Sequence, residues 1–167
     1  MLVLAAGLLA LSAPASLAQD RVGRSGAATV NPRAFPSLTT IYVMSGVRDT
    51  GSAADTGTAT IFHCSNWTAS TQQVRFFVRT PNGAVVANKT YLFSAAGTVS
   101  LATHGTLVYG EDDYLAPGTV IKQGTAMIMA TAPQVVCSAQ VIDAAAAAPV
   151  GVDLHLVRFN PWPGSQE

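Results

Sequence analysis

Charge is scarce in this chain. Charged residues make up 11% of its 167 positions, with only two lysines and two glutamates, and nine basic residues balance nine acidic ones. A protein that holds nucleic acid through phosphates needs a basic excess, so that class is excluded. The shortage of Lys and Glu also removes the residues that cover most soluble helices. Aromatic residues reach only 7%, so the two interfacial girdles of an outer-membrane barrel would be thin, although the length would allow eight strands. Cysteine occurs twice, at Cys64 and Cys137, which excludes a multi-bridge scaffold and any thiolate metal cluster. Closely spaced histidine pairs, a Gly-x-Ser-x-Gly elbow and a Gly-Asp-Ser-Gly turn are all missing, so no familiar copper or hydrolase motif is present.

What the chain has instead is Thr, Ala, Val, Gly and Ser, with 49% hydrophobic residues overall. That is enough apolar surface to offset the entropy of ordering, and Thr and Val favour strands.

Residues 1–18, MLVLAAGLLALSAPASLA, are uncharged, with an apolar run over Leu2–Leu11 and Ser16-Leu17-Ala18 as a small-x-small cleavage pattern. They read as a secretory signal peptide ending before Gln19, too short for a stable bilayer anchor. No basic residue precedes the run, so the true start is expected further upstream or at another position. Beyond it no stretch approaches 18 apolar residues, so no membrane span is expected in the mature chain. Residues 19–36 lack periodicity and read as a mobile N-terminal arm.

From residue 37 to 167 a single β-sandwich domain is expected. Short apolar or alternating runs fall at Leu38–Val47, Gly57–Ser65, Gln73–Arg79, Ala84–Phe93, Thr98–Thr103, Thr119–Lys122, Thr125–Thr131, Val135–Asp143 and Leu154–Phe159. Pro81-Asn82-Gly83, Pro117-Gly118 and Ala132-Pro133 punctuate them, the first as a hairpin turn. Strands at this spacing predict an all-β antiparallel sandwich, immunoglobulin-like or Greek-key, of about 7–9 strands. Ala144–Ala148 before Pro149 reads as a loop or one helical turn.

In an exported chain the two cysteines are expected to pair. Cys64 shares a strand face with Phe62, and Cys137 shares one with Val135 and Ala139. The bridge would join an early strand to a late one across the core or between neighbouring strands, leaving Ser65, Ser138 and Gln140 outside. No catalytic, cofactor-binding or metal site is assigned, and no cofactor is expected.

An early-strand Cys, a late-strand Cys and many short strands resemble an immunoglobulin-like sandwich over residues 37–160. The chain departs from that family in having Val135 where the tyrosine corner would fall, and Phe76 and Phe77 in place of the core tryptophan. The stretch from Phe62 to Asp143, opening Cys-Ser-Asn and closing Cys-Ser-Ala-Gln-Val, also resembles small exported bacterial proteins of unassigned function. That likeness implies a secreted or periplasmic β domain and brings no activity.

Other candidates are local. His63 before Cys64 looks superficially like a serine-protease histidine, and a strand-face histidine is the plainer reading. His63, His104, His155, Met127 and Met129 suggest copper, but the spacing fits core methionines better. Glu111-Asp112-Asp113 reads as a solvated loop, with calcium helped by Asp49 or Asp55 as the sharper alternative. Asn66-Trp67-Thr68 and Asn88-Lys89-Thr90 fit the N-glycosylation pattern. The expected function is a non-catalytic secreted sandwich, structural, adhesive or ligand-binding, with an unknown extracellular or periplasmic ligand or protein partner. The alternatives are a secreted hydrolase with an unrecognised site and a small outer-membrane barrel.

Overall fold

The computed structural model describes residues 37–148 and 150–159. The signal peptide over 1–18, the arm over 19–36, Pro149 and residues 160–167 lie outside the described residues. Ten strands follow one another: β1 (Thr39–Asp49), β2 (Thr58–Asn66), β3 (Gln72–Arg79), β4 (Val85–Phe93), β5 (Thr98–Ala102), β6 (Asp113–Tyr114), β7 (Ile121–Ala130), β8 (Val135–Asp143), β9 (Gly151–Asp153) and β10 (Leu156–Arg158). No helix occurs among the described residues.

The strands form two five-stranded sheets. Sheet 1 runs β10-β1-β7-β3-β4 and sheet 2 runs β6-β5-β2-β8-β9. Every pairing is antiparallel except that of β5 with β6. Alternation explains the layers. In β3, Val74, Phe76 and Val78 are buried while Arg75, Phe77 and Arg79 face outward. Phe76 meets Phe62 of sheet 2 edge-on at 5.7 Å between ring centroids, and Leu101, Val135 and Ala139 fill the same core from the sheet 2 side. Each buried Phe is worth about 1.5–3 kcal/mol of transfer free energy. Apolar side chains therefore point between two open sheets. The closed outer-membrane barrel, whose apolar residues face outward to lipid, is not the fold.

Several sequence expectations need correction. Ten strands form where 7–9 are expected, because β6 and β9 are too short to show an apolar run. Thr119–Lys122 and Thr125–Thr131 are one strand. Gly124 sits where a Cβ would lie 2.6 Å from the Arg79 carbonyl, so the glycine marks a close backbone approach inside β7 and not a break. Leu154–Phe159 shrinks to β10, because the chain leaves sheet 2 after Asp153 and enters sheet 1 at Leu156. Ala144–Ala148 forms a turn, with the Ala145 amide donating to Asp143 Oδ1 at 3.0 Å. The 81–83 hairpin stands as expected: Gly83 takes φ 84° and its amide donates to the Thr80 carbonyl at 3.0 Å.

Cys64 and Cys137 are bonded to each other. They lie directly opposite in the β2–β8 register, 4.1 Å apart at Cα, so the bridge staples neighbours within sheet 2. It does not cross the core, and it differs in this from the inter-sheet bridge of immunoglobulin domains. Closely spaced, directly opposite Cα atoms mark the non-hydrogen-bonded pairs of an antiparallel ladder, where side chains come nearest.

Candidate functional site

Residues 103–112 fold back over the outer face of sheet 2. Ile61, Ala102 and Ile142 are buried there under Val108 and Tyr109. Leu107 donates its amide to the Ala144 carbonyl at 2.9 Å and so fastens this cover. Beneath the neighbouring 50–57 loop, Asp49 is fully buried and His104 nearly so. The His104 ring places Nδ1 2.9 Å from Asp49 Oδ2 and Nε2 2.9 Å from the Thr56 carbonyl. Both nitrogens are occupied by protein oxygens and the ring is nearly buried, so neither is open to a metal or a substrate. Asp49 Oδ1 is taken as well, by the Gly51 amide at 3.1 Å. The cluster fixes a loop and offers no free chemistry.

His63 lies on the outer face of β2. Its Nδ1 is 2.9 Å from Ser100 Oγ on β5, and the Tyr109 ring packs against it edge-on at 4.7 Å. Burial pushes the imidazole below its ordinary value, with the Glu111 charge pulling the other way. Ser100 and His63 thus make the one Ser–His contact that a hydrolase reading could use. Its surroundings oppose that use. The Ser100 amide, a natural oxyanion donor, gives its proton to Asp112 Oδ2 at 2.7 Å, so a carboxylate sits where an oxyanion would need to be.

The acidic triplet diverges. Glu111 accepts from the Thr106 amide at 3.0 Å and from the Thr106 hydroxyl, and Asp112 takes the Ser100 amide. Asp113 accepts from Lys89 at 3.4 Å and from the Tyr91 hydroxyl at 2.9 Å. Burial works to raise the Asp113 carboxyl, but the Tyr114 amide, the Tyr91 hydroxyl and the Lys89 charge outweigh it and hold it below the ordinary value. Burial first, then Asp113, pushes the Tyr91 hydroxyl well above its own. Three carboxylates, each with its own protein partners, do not converge on a cation, and Asp49 is committed elsewhere. Among the described residues no three His, Cys, Asp or Glu side chains are grouped to hold a metal.

The other candidates scatter. His155 is exposed between β9 and β10. Met127 and Met129 are not core residues. They stand half-exposed on the outer face of β7, while Ala126, Ile128 and Ala130 point inward. Asn66 is 1% exposed, and its amide donates to the carbonyls of Ser70, Phe93 and Ser94, so this acceptor site is closed in the folded chain. Asn88 is exposed on the edge strand β4.

The feature missed in the sequence is the distribution of charge. All six Lys and Arg of the described residues, Arg48, Arg75, Arg79, Lys89, Lys122 and Arg158, belong to sheet 1 strands, and sheet 2 strands carry none. The only carboxylate in a sheet 1 strand is the buried Asp49. Two ion pairs form among the described residues, Lys89–Asp113 and His104–Asp49, so Arg75 and Arg79 face no carboxylate. Arg79 instead lies over the Phe77 ring, 4.8 Å from its centroid. Beside Arg79 a cleft of about 400 Å³ opens at the rim of the outer face, lined by Ser45, Thr80, Gln123 and Thr125 together with the β3–β4 turn.

Comparison with known proteins finds no family model, no curated protein and no solved structure that matches this chain.

Proposed function

We propose that this chain is an exported β-sandwich that acts by binding an extracellular or periplasmic ligand or protein, without catalysis. The likeness to small exported bacterial proteins belongs to the same proposal. One observation carries it. Among the described residues the buried or clustered acid–base groups are tied to one another and to the backbone, while Arg75 and Arg79 stand without carboxylate partners on one sheet face, Arg79 beside an open cleft. A protein built to bind presents unused recognition groups at its surface; a protein built to catalyse presents an activated one. The disulfide supports export, because such bonds persist in oxidising compartments. Among the described residues no helix is long and apolar enough to cross a membrane.

A secreted hydrolase is the second reading, carried by the His63–Ser100 contact. A serine-directed fluorophosphonate separates the two. The binding reading expects no adduct on the mature protein; an adduct at Ser100 that Ser100→Ala abolishes would establish the hydrolase instead. Export is tested separately, by sequencing the N-terminus of protein recovered from periplasm or medium. It should begin at or next to Gln19, and an intact Met1 on exported protein would overturn this part.

A further inference from the structure

The outer face of sheet 1 is organised in rows that the sequence does not reveal. Ser45, Thr125, Arg79 and Val85 are successive register partners across β1, β7, β3 and β4. The next row is Val157, Val43, Met127, Phe77 and Asn88. Beyond it lie Thr40, Met129, Arg75 and Thr90. An apolar band with one aromatic ring is thus flanked on both sides by a row holding hydroxyls and one arginine. The two guanidinium-bearing positions are four residues apart on one strand, about 13 Å at the usual rise. The cleft beside Arg79 adds the hydroxyls of Ser45, Thr80 and Thr125 and the Gln123 amide.

Resting on the reading that this protein binds without catalysis, we propose that this face and its cleft hold a carboxylated glycan. The chemistry of the rows matches such a chain part by part. Sugar C–H faces pack on Phe77, Met127 and Val43. Ring hydroxyls meet Thr80, Thr125, Ser45 and Gln123 at the cleft. Carboxylates meet Arg79, already held over the Phe77 ring, and Arg75, whose Nε is steadied by Thr90 Oγ1 at 2.9 Å. Among the described residues no carboxylate stands on this face, so none of them repels an acidic polymer. Two arginines would contribute only about 2 kcal/mol at an anionic bilayer, and the apolar band is half-buried, which makes a lipid surface the poorer match.

The test uses the mature chain with hexagalacturonate and hexamannuronate as probes, followed by calorimetry and by backbone amide shifts. Binding of at least one oligomer is expected, weakened by added salt and lost on methyl esterification. Arg79→Gln, an exposed change, should weaken it about tenfold or more with the circular dichroism spectrum unchanged. Ser138→Ala on the opposite sheet should leave it intact. Failure of both oligomers to bind overturns the proposal, and so does equal binding of the methyl esters. Tighter capture by phosphatidylglycerol vesicles or by polyglutamate, lost with Arg79→Gln, assigns the face to lipid or to an acidic protein. That result overturns the glycan reading and leaves the binding reading standing, which only the Ser100 adduct would remove.

Discussion

Asn66 shows how one buried amide can organise the meeting of three segments. Its Nδ2 serves the carbonyls of Ser70, Phe93 and Ser94, and its Oδ1 accepts the Thr68 amide at 3.0 Å and the Thr68 hydroxyl at 2.8 Å. Asn66→Ala leaves those carbonyls and an amide without partners at a site closed to water. The expected loss is about 2–4 kcal/mol, read as a lowered denaturant midpoint at constant slope. Gly51 is constrained by space. A Cβ there would lie 2.4 Å from His104 Nε2 and equally close to the Thr56 carbonyl. Gly51→Ala must therefore displace the ring or the 50–57 loop, and should cost about 1–3 kcal/mol while broadening the His104 ring signals in NMR spectra. A free surface glycine would show neither effect.

At the scale of the element, the closest ties differ between the two sheets. Cys64–Cys137 joins β2 to β8, strands 73 residues apart in sequence. Closing a loop of that size should contribute about 4 kcal/mol in the chain-entropy model, and reduction or Cys137→Ala is expected to cost about 2–5 kcal/mol. A denaturant midpoint that does not move on reduction would show the bond to be dispensable. Between the sheets, Lys89 and Tyr91 of β4 meet Asp113 of β6, so the two edge strands are linked by one carboxylate. Because folding lowers the Asp113 value, its contribution is complete above the unfolded carboxyl range near 3.9 and fades as pH falls through the folded value. Because folding raises Tyr91, its contribution is complete below about 10 and fades as pH climbs beyond it. Asp113→Asn should flatten the acid limb of the stability curve, measured by thermal unfolding across pH.

For the molecule as a whole the net charge is zero, but among the described residues the charge is two-sided. Sheet 1 strands hold all the Lys and Arg side chains of the described residues, while the carboxylates of Asp113, Asp143 and Asp153 lie in sheet 2 strands. Association at sheet 1 should weaken as salt rises, despite a net charge of zero. The circular dichroism spectrum of the chain from Gln19 onward should be dominated by strand, with almost no helical signal. Helix near the one-third typical of globular proteins would contradict the fold.

Local alternation and turn chemistry were enough to place most strands from the sequence. The period of two in Val74–Arg79 and Val135–Ala139 assigns inner and outer faces without any knowledge of neighbours, because the pleat alone dictates it. Gly83 marks its turn through the positive φ that it alone takes freely. The cysteine count, in a chain expected to be exported, implied a pair. Tertiary structure decided the rest. Whether Cys64 meets Cys137 across the core or along one sheet depends on strand order, which no local pattern encodes. The same holds for Met127 and Met129, whose spacing shows that they share a face but not which face, since both sides of β7 read as apolar. Asp49 and His104 lie 55 residues apart, and Arg79 reaches Ser45 and Thr125 only through register. The candidate site is a property of pairing between distant strands. The sequence fixes each residue's chemistry, and the fold chooses its company.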